Sequence, residues 1–417
     1  MSPHSTGDLY VVGVGMTHFG RHLEKDLKAL GREATQAALT DAGLRSEDLD
    51  AAFFGNSSQG HMEGQHMIRG QVVLRSMGIG RIPVVNVENA CASGSSAFVL
   101  ACNHLRSGAG DIALALGAEK MVSTDRDRMF SVFDSGWDVS RAAEIRDALM
   151  LLGRDVDVPE GSTSPRPYSV FMDVYAAFAR SHMRNFGTTQ RQLAAVSAKN
   201  HAHSVHNPLS QYRTPYTVDE VLAAAPITYP LTLPMCSPVS DGAAAAIVCT
   251  RAALKRLNID ERRAVRVLAS LVQSGSDRTE DQYSSHCTAL AARRAYELAG
   301  VGPADVSLAE VHDATAMGEI IQSENLGFCQ FGEGGPMAER GDTQIGGRIP
   351  INPSGGLESK GHPVGATGLA QIHELVLQLR GEAGPRQVQG ARIALAENGG
   401  GLEGIEEAVA CITILGR

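Results

Sequence analysis

Three short stretches of this 417-residue chain carry residue types that do chemistry. The first is Glu88-Asn89-Ala90-Cys91-Ala92-Ser93-Gly94-Ser95-Ser96-Ala97, which follows an apolar strand pattern at Val84 to Val87. Small residues after Cys91 let a helix begin tightly against its neighbours. A cysteine there sits in the positive end of the helix dipole, which is expected to lower its pKa and raise its thiolate fraction. A strand entering a helix through a tight turn also resembles a nucleophile elbow. The alternative is a buried small hydrophobe, the commonest fate of a free cysteine. The second stretch runs Asn352-Pro353-Ser354-Gly355-Gly356 and then Gly361-His362-Pro363-Val364-Gly365-Ala366-Thr367-Gly368. It is a glycine-rich loop that presents His362 just before a helix. A histidine beside a thiol serves as its base and can hold the thiolate as an ion pair. A phosphate-cradling loop or simple turn punctuation would use the same glycines. The third stretch, Glu310-Val311-His312-Asp313-Ala314, ends a predicted strand, where α/β sites assemble. Its His-Asp pair reads either as catalytic or as a satisfied turn.

The elements that must position these residues come in two similar sets. A helical pattern from Leu30 to Asp41 ends at Ala42-Gly43, then comes Ser46 to Leu49 and an apolar strand, Ala51 to Phe54. Ala291 to Leu298 is again helical, ends at Ala299-Gly300, and is followed by Pro303 to Val306 and the strand Leu308 to Val311. The glycine after each helix supplies a left-handed cap. Ile112-Ala113-Leu114-Ala115 recurs as Ile393-Ala394-Leu395-Ala396, each behind an amphipathic helix (Ser95 to Arg106, Ala366 to Arg380). Helices alternating with strands predict parallel α/β layers, and an echo at this distance means a duplicated domain rather than a solenoid. Residues 122–224, rich in Arg, His, Pro and Ser, have no counterpart in the second half. They read as an insert of helices and loops, a wall over a binding site. The expected organisation is an N-terminal half from 1–121 and 225–265, the insert 122–224, and a C-terminal half 266–417.

Composition narrows the class. With 43% hydrophobic and 20% charged residues, the chain has the makings of two or three buried cores. A net charge of -9 argues against nucleic-acid binding, which rewards clustered Lys and Arg. Seven scattered cysteines without C-x-x-C spacing fit a reducing compartment and argue against zinc. No apolar stretch is long enough to span a bilayer, the run Leu9 to Val14 is too short for a signal sequence, and Ile414 to Arg417 is no peroxisomal tripeptide. The expectation is a soluble cytoplasmic protein.

Taken together, the motifs resemble those of the thiolases, in particular the sterol-carrier-protein type, over nearly the whole chain. Asn89 to Ala97 looks like the family's nucleophile segment, and Leu114 to Met121 like the strand after it. Lys199 to Ser204 with Asn207-Pro208 is similar to a subfamily segment. Ser237 to Ala244 resembles the return into the core, and Asn352 to Gly368 is nearly the subfamily pattern. The resemblance implies a five-layered αβαβα fold, two mixed sheets sandwiching helices, usually as a dimer paired through a surface that includes Gln59 to Gln71. It implies that Cys91 takes an acyl group from a thioester, with His362 as base and His312 helping to bind the thioester oxygen. Main-chain N–H groups of Cys91 and of the glycines near Gly400 would complete the oxyanion holes. Coenzyme A is expected as substrate or product, with no metal and no redox cofactor. Ser237 matches a pantetheine contact. Arg180, Arg184, Arg191 and Lys199 give the insert local positive charge for the CoA phosphates. Ending at Arg417, the chain is expected to lack a fused lipid-carrier domain.

One departure stands out. Such enzymes use a second acid/base, a cysteine in a C-x-G motif or directly after His-Asp. Here those positions hold Glu397-Asn398-Gly399 and Ala314. Either Glu397, raised in pKa by an apolar pocket, has taken the role, or it is a structural carboxylate. Three readings remain open: a 3-oxoacyl-CoA thiolase, a C-acyltransferase or retro-aldolase working with a small OB-fold partner, and a non-catalytic subunit. Intact Cys91 and His362 weigh against the last.

Overall fold

A computed structural model describes residues 7–417. Its large strands are β1 (Leu9–Met16), β2 (Ala51–Gly55), β3 (Val84–Val87) and β4 (Ile112–Glu119). After a small separate hairpin of β5 (Pro226–Thr228) and β6 (Leu231–Thr232) come β7 (Gly242–Thr250), β8 (Val265–Ser274), β9 (Leu308–Glu310), β10 (Ile393–Gly400) and β11 (Val409–Gly416). The helices that matter for the site are α1 (Leu27–Ala42), α2 (Ser93–Arg106), α3 (Ala142–Leu152), α4 (Val170–Phe186), α5 (Gln190–Ser204), α6 (Cys287–Ala299), α7 (Ala316–Asn325) and α8 (Thr367–Arg380).

The strand order is β3-β2-β4-β7-β1-β8-β11-β10-β9. Strands β1, β4, β7 and β11 are buried along almost their whole length, as their unbroken apolar or small-residue runs require when both faces are covered. The duplication is visible in the pairing. Helix α1 leads into β2, which lies parallel to β4; α6 leads toward β9, which lies parallel to β10. The expectation of parallel layers holds for those pairs and for β2 with β3. Strand β7 runs antiparallel to β4 and β1, and β11 antiparallel to β10 and β8, so each half is mixed. The halves also meet edge to edge. Tyr10 and Val11 of β1 pair with Arg266 and Val265, which joins the two expected sheets into one of nine strands.

Helices α2 and α8 are sandwiched between the halves. Phe98, Cys102 and Leu105 of α2 and Leu369, Leu375 and Leu379 of α8 share one core with Val14, Phe53 and Ala115 on one side and Val267, Leu308 and Ala396 on the other. Helix α1 covers the outside of the first half with Leu27, Leu30 and Ala34, and α6 the outside of the second with Ala291, Ala292 and Ala295. The order is therefore helix, sheet, helices, sheet, helix. Residues 122–224 add helices, α3 to α5 among them, and no strand of the large sheet among the described residues.

Candidate active site

Cys91 precedes the first turn of α2, where β3 ends and the chain reverses. The reversal puts Ala90 in the left-handed region, at φ +47°, where a Cβ is disfavoured. Local hydrogen bonds hold it there: Ala90 N donates to Glu88 Oε1 (2.7 Å), Asn89 N to Ser93 Oγ (2.9 Å) and Ala92 N to Asn89 O (2.9 Å). Such strain persists where surrounding bonds over-determine it, as at many reactive residues. The glycine-rich loop lies directly on this turn. A Cβ at Gly94 or Gly117 would stand 2.6 or 2.2 Å from the Gly365 carbonyl oxygen, so both positions must be glycine.

That contact brings His362 to Cys91, with Nε2 3.3 Å from Sγ. Its tautomer follows from its neighbours. The Thr367 hydroxyl donates to the Pro363 carbonyl (3.1 Å), so its oxygen can only accept from His362 Nδ1, 2.6 Å away. The ring proton is therefore on Nδ1, and the Nε2 lone pair faces the thiol. The His362 main-chain N–H donates to Ser240 Oγ (2.9 Å), which fixes the loop from a second side. Burial, with help from His312 and Lys360, holds the His362 pKa well below the usual imidazole value, so the ring is a neutral base.

The expected low thiol pKa is overturned. Burial, then the charges of Glu119 and Glu88, push the Cys91 thiol up to about 12, against the pull of the main-chain N–H groups of Cys91 and Gly401 on its sulfur. A desolvated thiol beside carboxylates outweighs the helix end. The resting pair is a neutral thiol on a neutral imidazole, not an ion pair.

His312 completes the cluster. Its ring packs edge-on to His362 with centroids 5.2 Å apart, and a nitrogen of each ring and Cys91 Sγ lie within 4.8 Å of one another. Burial depresses the His312 pKa to about 4, against an opposing pull from Glu407 and the Gly399 carbonyl. Asn398 Nδ2 stands 3.1 Å from His312 Nδ1.

Glu397 is corrected by the alternation of β10. Ala394 and Ala396 face α2 and α8, whereas Leu395 belongs to the outer core against α6. Asn398 shares the inner face, through Ser95 Oγ at 2.9 Å, and Glu397 takes the outer one. Its Oε2 accepts the His312 main-chain N–H (2.8 Å), its Oε1 has no partner, and among the described residues no hydrogen bond joins it to Cys91 or His362. Burial and the Glu407 charge raise its pKa well above the carboxylate range, so it is a neutral acid that holds the His312 loop. Ala314, the other expected cysteine position, packs in an apolar core with Met317 and Met235.

Gly400 lies against the nucleophile turn: a Cβ there would come within 2.3 Å of Asn89 O. It is its neighbour Gly401 whose N–H reaches the sulfur. Ser237 is half-buried beside the His312 loop, its N–H on the Ala314 carbonyl at 2.9 Å. The basic residues expected to face CoA phosphates are engaged within the protein. Arg184 binds the carbonyls of Leu152 and Arg154 and the carboxylate of Glu280. Arg180 binds those of Gly153 and Tyr229, and Arg191 pairs with Asp219. Lys199 is buried, 2.5 Å from Glu319. Lys199, Arg180 and Arg184 thus have partners inside the fold, whereas the Arg191–Asp219 pair is exposed.

Thr367 and Asn398, which orient the two histidines, went unassigned in the sequence reading, as did Glu119. The Glu119 carboxylate accepts from Asn56 Nδ2 (2.8 Å) and from the main-chain N–H groups of Ser57 (3.0 Å), Ser58 (2.8 Å) and Gly365 (2.8 Å), tying the nucleophile side to the His362 loop. A buried acid ending the strand after the nucleophile was the signal for it.

A cysteine at a helix start, a neutral histidine 3.3 Å from it and a second histidine, built on a duplicated αβαβα core, make up the candidate site. The family models agree: residues 9–221 match the thiolase N-terminal domain and residues 270–417 the thiolase C-terminal domain-like family. The chain belongs to the thiolase family. It is 40% identical over 400 residues to an acetyl-CoA acetyltransferase of Methanothermobacter thermautotrophicus, covering 95% of this chain and 97% of that one. It is 38% identical over 398 residues to sterol carrier protein 2 of Bos taurus, covering 94% of this chain and 69% of that protein. Among solved structures, the Ltp2-ChsH2(DUF35) aldolase superposes with a TM-score of 0.76 at 23% identity, covering 98% of both chains. Human mitochondrial 3-ketoacyl-CoA thiolase in complex with CoA does so at 0.70 and 17%, covering 99% of this chain and 98% of that one.

Proposed function

We propose that the protein is an acyl-CoA C-acyltransferase that works through an acyl-enzyme on Cys91, with 3-oxoacyl-CoA or acyl-CoA thioesters as substrates and coenzyme A as second substrate or product. The observation that carries this reading is the His362 Nε2 lone pair 3.3 Å from Cys91 Sγ, with Thr367 setting the tautomer. Cys91 gives its proton to Nε2 as sulfur attacks the carbonyl carbon. The oxygen that becomes negative is met by main-chain N–H groups beside the sulfur and by His312, where preorganised donors lower the barrier most. Ser237, at the mouth formed with Ala314, is the proposed pantetheine contact. The similarity to the acetyl-CoA acetyltransferase supports the substrate class.

Incubation with short acyl-CoA followed by intact-mass measurement tests the acyl-enzyme. A panel of 3-oxoacyl-CoA thioesters tests the carbon–carbon step. A wild type that acylates but cleaves and condenses none of them favours the second reading, a retro-aldolase-type enzyme with a small OB-fold partner. Ala314 and Glu397 in place of cysteines support that alternative, as does the fold likeness to a DUF35-associated aldolase. The non-catalytic reading would require Cys91 to stay unmodified by every thioester.

We also read the protein as a cytoplasmic homodimer. Edge strand β3 exposes Val85, and the preceding loop exposes Met67 and Ile68, an apolar rim suited to two-fold pairing. All seven cysteines are unpaired, which suits a reducing compartment. No helix among the described residues is long and apolar enough to cross a membrane.

A further inference from the structure

The carbon–carbon step needs a proton at the carbon that leaves or attacks, and neither usual cysteine is present to carry it. Asn398 limits what can take its place. It is fully buried on the inner face of β10, and its amide is clamped at both ends. Ser95, in the first turn of α2, donates its hydroxyl to Asn398 Oδ1 (2.9 Å), and Nδ2 then donates to His312 Nδ1 (3.1 Å). An amide nitrogen can only donate, so Nδ1 keeps its lone pair and the ring proton is on Nε2, the one nitrogen then able to donate to the Gly399 carbonyl that also draws on this ring. In that tautomer His312 offers the site an N–H and no basic nitrogen. His362 is the mirror case, with Nδ1–H on Thr367 and the lone pair toward Cys91.

We propose that Asn398 is a positioning residue that fixes His312 as a hydrogen-bond donor, and that His362 is therefore the single acid/base of the whole reaction. This rests on the acyl-enzyme reading given above. In cleavage, the Cys91 proton passes to His362 Nε2 as the sulfur bonds to the 3-oxo carbon. The oxygen takes the charge and is held by His312 Nε2–H and the main-chain N–H groups. Collapse breaks the C2–C3 bond with its electron pair on C2, and C2 takes the proton back from His362. In the second half, the CoA thiol gives its proton to His362 Nε2 and its sulfur attacks the acyl carbon. Cys91 sulfur then leaves and takes that proton. Each half returns His362 to its neutral form, and no outside acid or base is consumed.

The surroundings of His312 agree with a ring that stays neutral. Cys91 and His362 face it from the nucleophile turn and the glycine-rich loop. Glu397 holds its main-chain N–H, Asp313 follows it in the chain, and the Glu407 carboxylate faces it from the β10–β11 hairpin. Burial outweighs the pull of the Glu407 charge and of the Gly399 carbonyl, which leaves the His312 pKa at about 4.

The test compares N398D, N398A and wild type by the rate of Cys91 acylation and by the ring-nitrogen signals of 15N-histidine-labelled protein. A carboxylate at 398 can only accept, so it moves the proton to Nδ1 and turns a lone pair on the substrate oxygen. N398D is expected to acylate about 10²–10³-fold more slowly, the cost of losing one oxyanion donor. N398A, whose ring can still present Nε2–H, should lose less. A packing role predicts the reverse order, because Asp has the shape of Asn and Ala leaves a hole. N398D acylating faster than N398A overturns the proposal, and so does a His312 signal from wild type that is protonated on Nδ1. The NMR measurement needs only folded wild-type protein, so it decides the matter if either variant fails to fold. A wild type that never acylates sinks the functional reading instead and leaves the tautomer result standing.

Discussion

Replacing His362 by alanine tests the neutral-pair description of the nucleophile. With a thiol pKa of about 12, the unaided thiolate fraction at pH 8 is four pH units down, or about one part in 10⁴. In the proposed mechanism wild type escapes this because Nε2, 3.3 Å from the sulfur, takes the proton during attack. General-base assistance of this kind is worth about 10²–10⁴-fold, so H362A should acylate more slowly by about that factor at pH 8. Its rate should then climb about tenfold per pH unit as the thiol ionises alone, and by pH 10 the gap to wild type should narrow by about 100-fold. Wild type should stay flat over the same range. Its acid limb should fall below the usual imidazole value, because burial depresses the His362 pKa. Rapid-quench acylation followed by intact mass, from pH 4 to 10, reads all of this. A deficit that is constant across pH would mean that His362 only shapes the turn. A wild-type limb at about 6.5 would mean that the ring is not desolvated.

Cys91→Ser should abolish the thioester adduct seen by mass spectrometry, and an adduct that persists would move the nucleophile elsewhere. Glu397→Gln should change turnover by less than about threefold, because the carboxyl is already neutral and a Gln oxygen can still accept the His312 N–H. Glu397→Ala should cost about 1–3 kcal/mol of stability, measured by denaturant melts, by leaving that buried donor unpaired. A thermal melt series should show stability lost on acidification from pH 6.5 toward 4. His312 and His373 have folded pKa values of about 4, below the unfolded value, so the unfolded chain binds their protons first; each contributes at most about 3 kcal/mol that is present above pH 6.5. Glu397, neutral with a raised pKa, opposes them over the same interval, so the histidine part is read as the difference between wild type and His373→Gln, and an identical pH dependence in the two would contradict the depressed His373 pKa.

The sequence by itself determined a good deal. The meeting of Cys91 with His362 was legible because it is written in local neighbours: small residues that let a helix start, and glycines that let one main chain touch another. The duplication was legible because Ile112 to Ala115 and Ile393 to Ala396 sit in equivalent strands, β4 and β10. What the sequence left undetermined depends on groups far apart in the chain. Strand direction is one: β7 and β11 carry apolar runs that suit either orientation, and only their partners make them antiparallel. The ionisation of Cys91 is another. A helix start argues for a low pKa, but burial of the sulfur and then the charge of Glu119 reverse the sign. The roles around β10 are a third. Glu397 and Asn398 are adjacent in sequence, yet the pleat sends one carboxyl to the outer face and the other amide between Ser95 and His312. Lys199 and Arg184 looked available for an anionic ligand until Glu319 and Glu280 closed on them. Charge and tautomer are set by the sum of distant neighbours, which only the tertiary structure assembles.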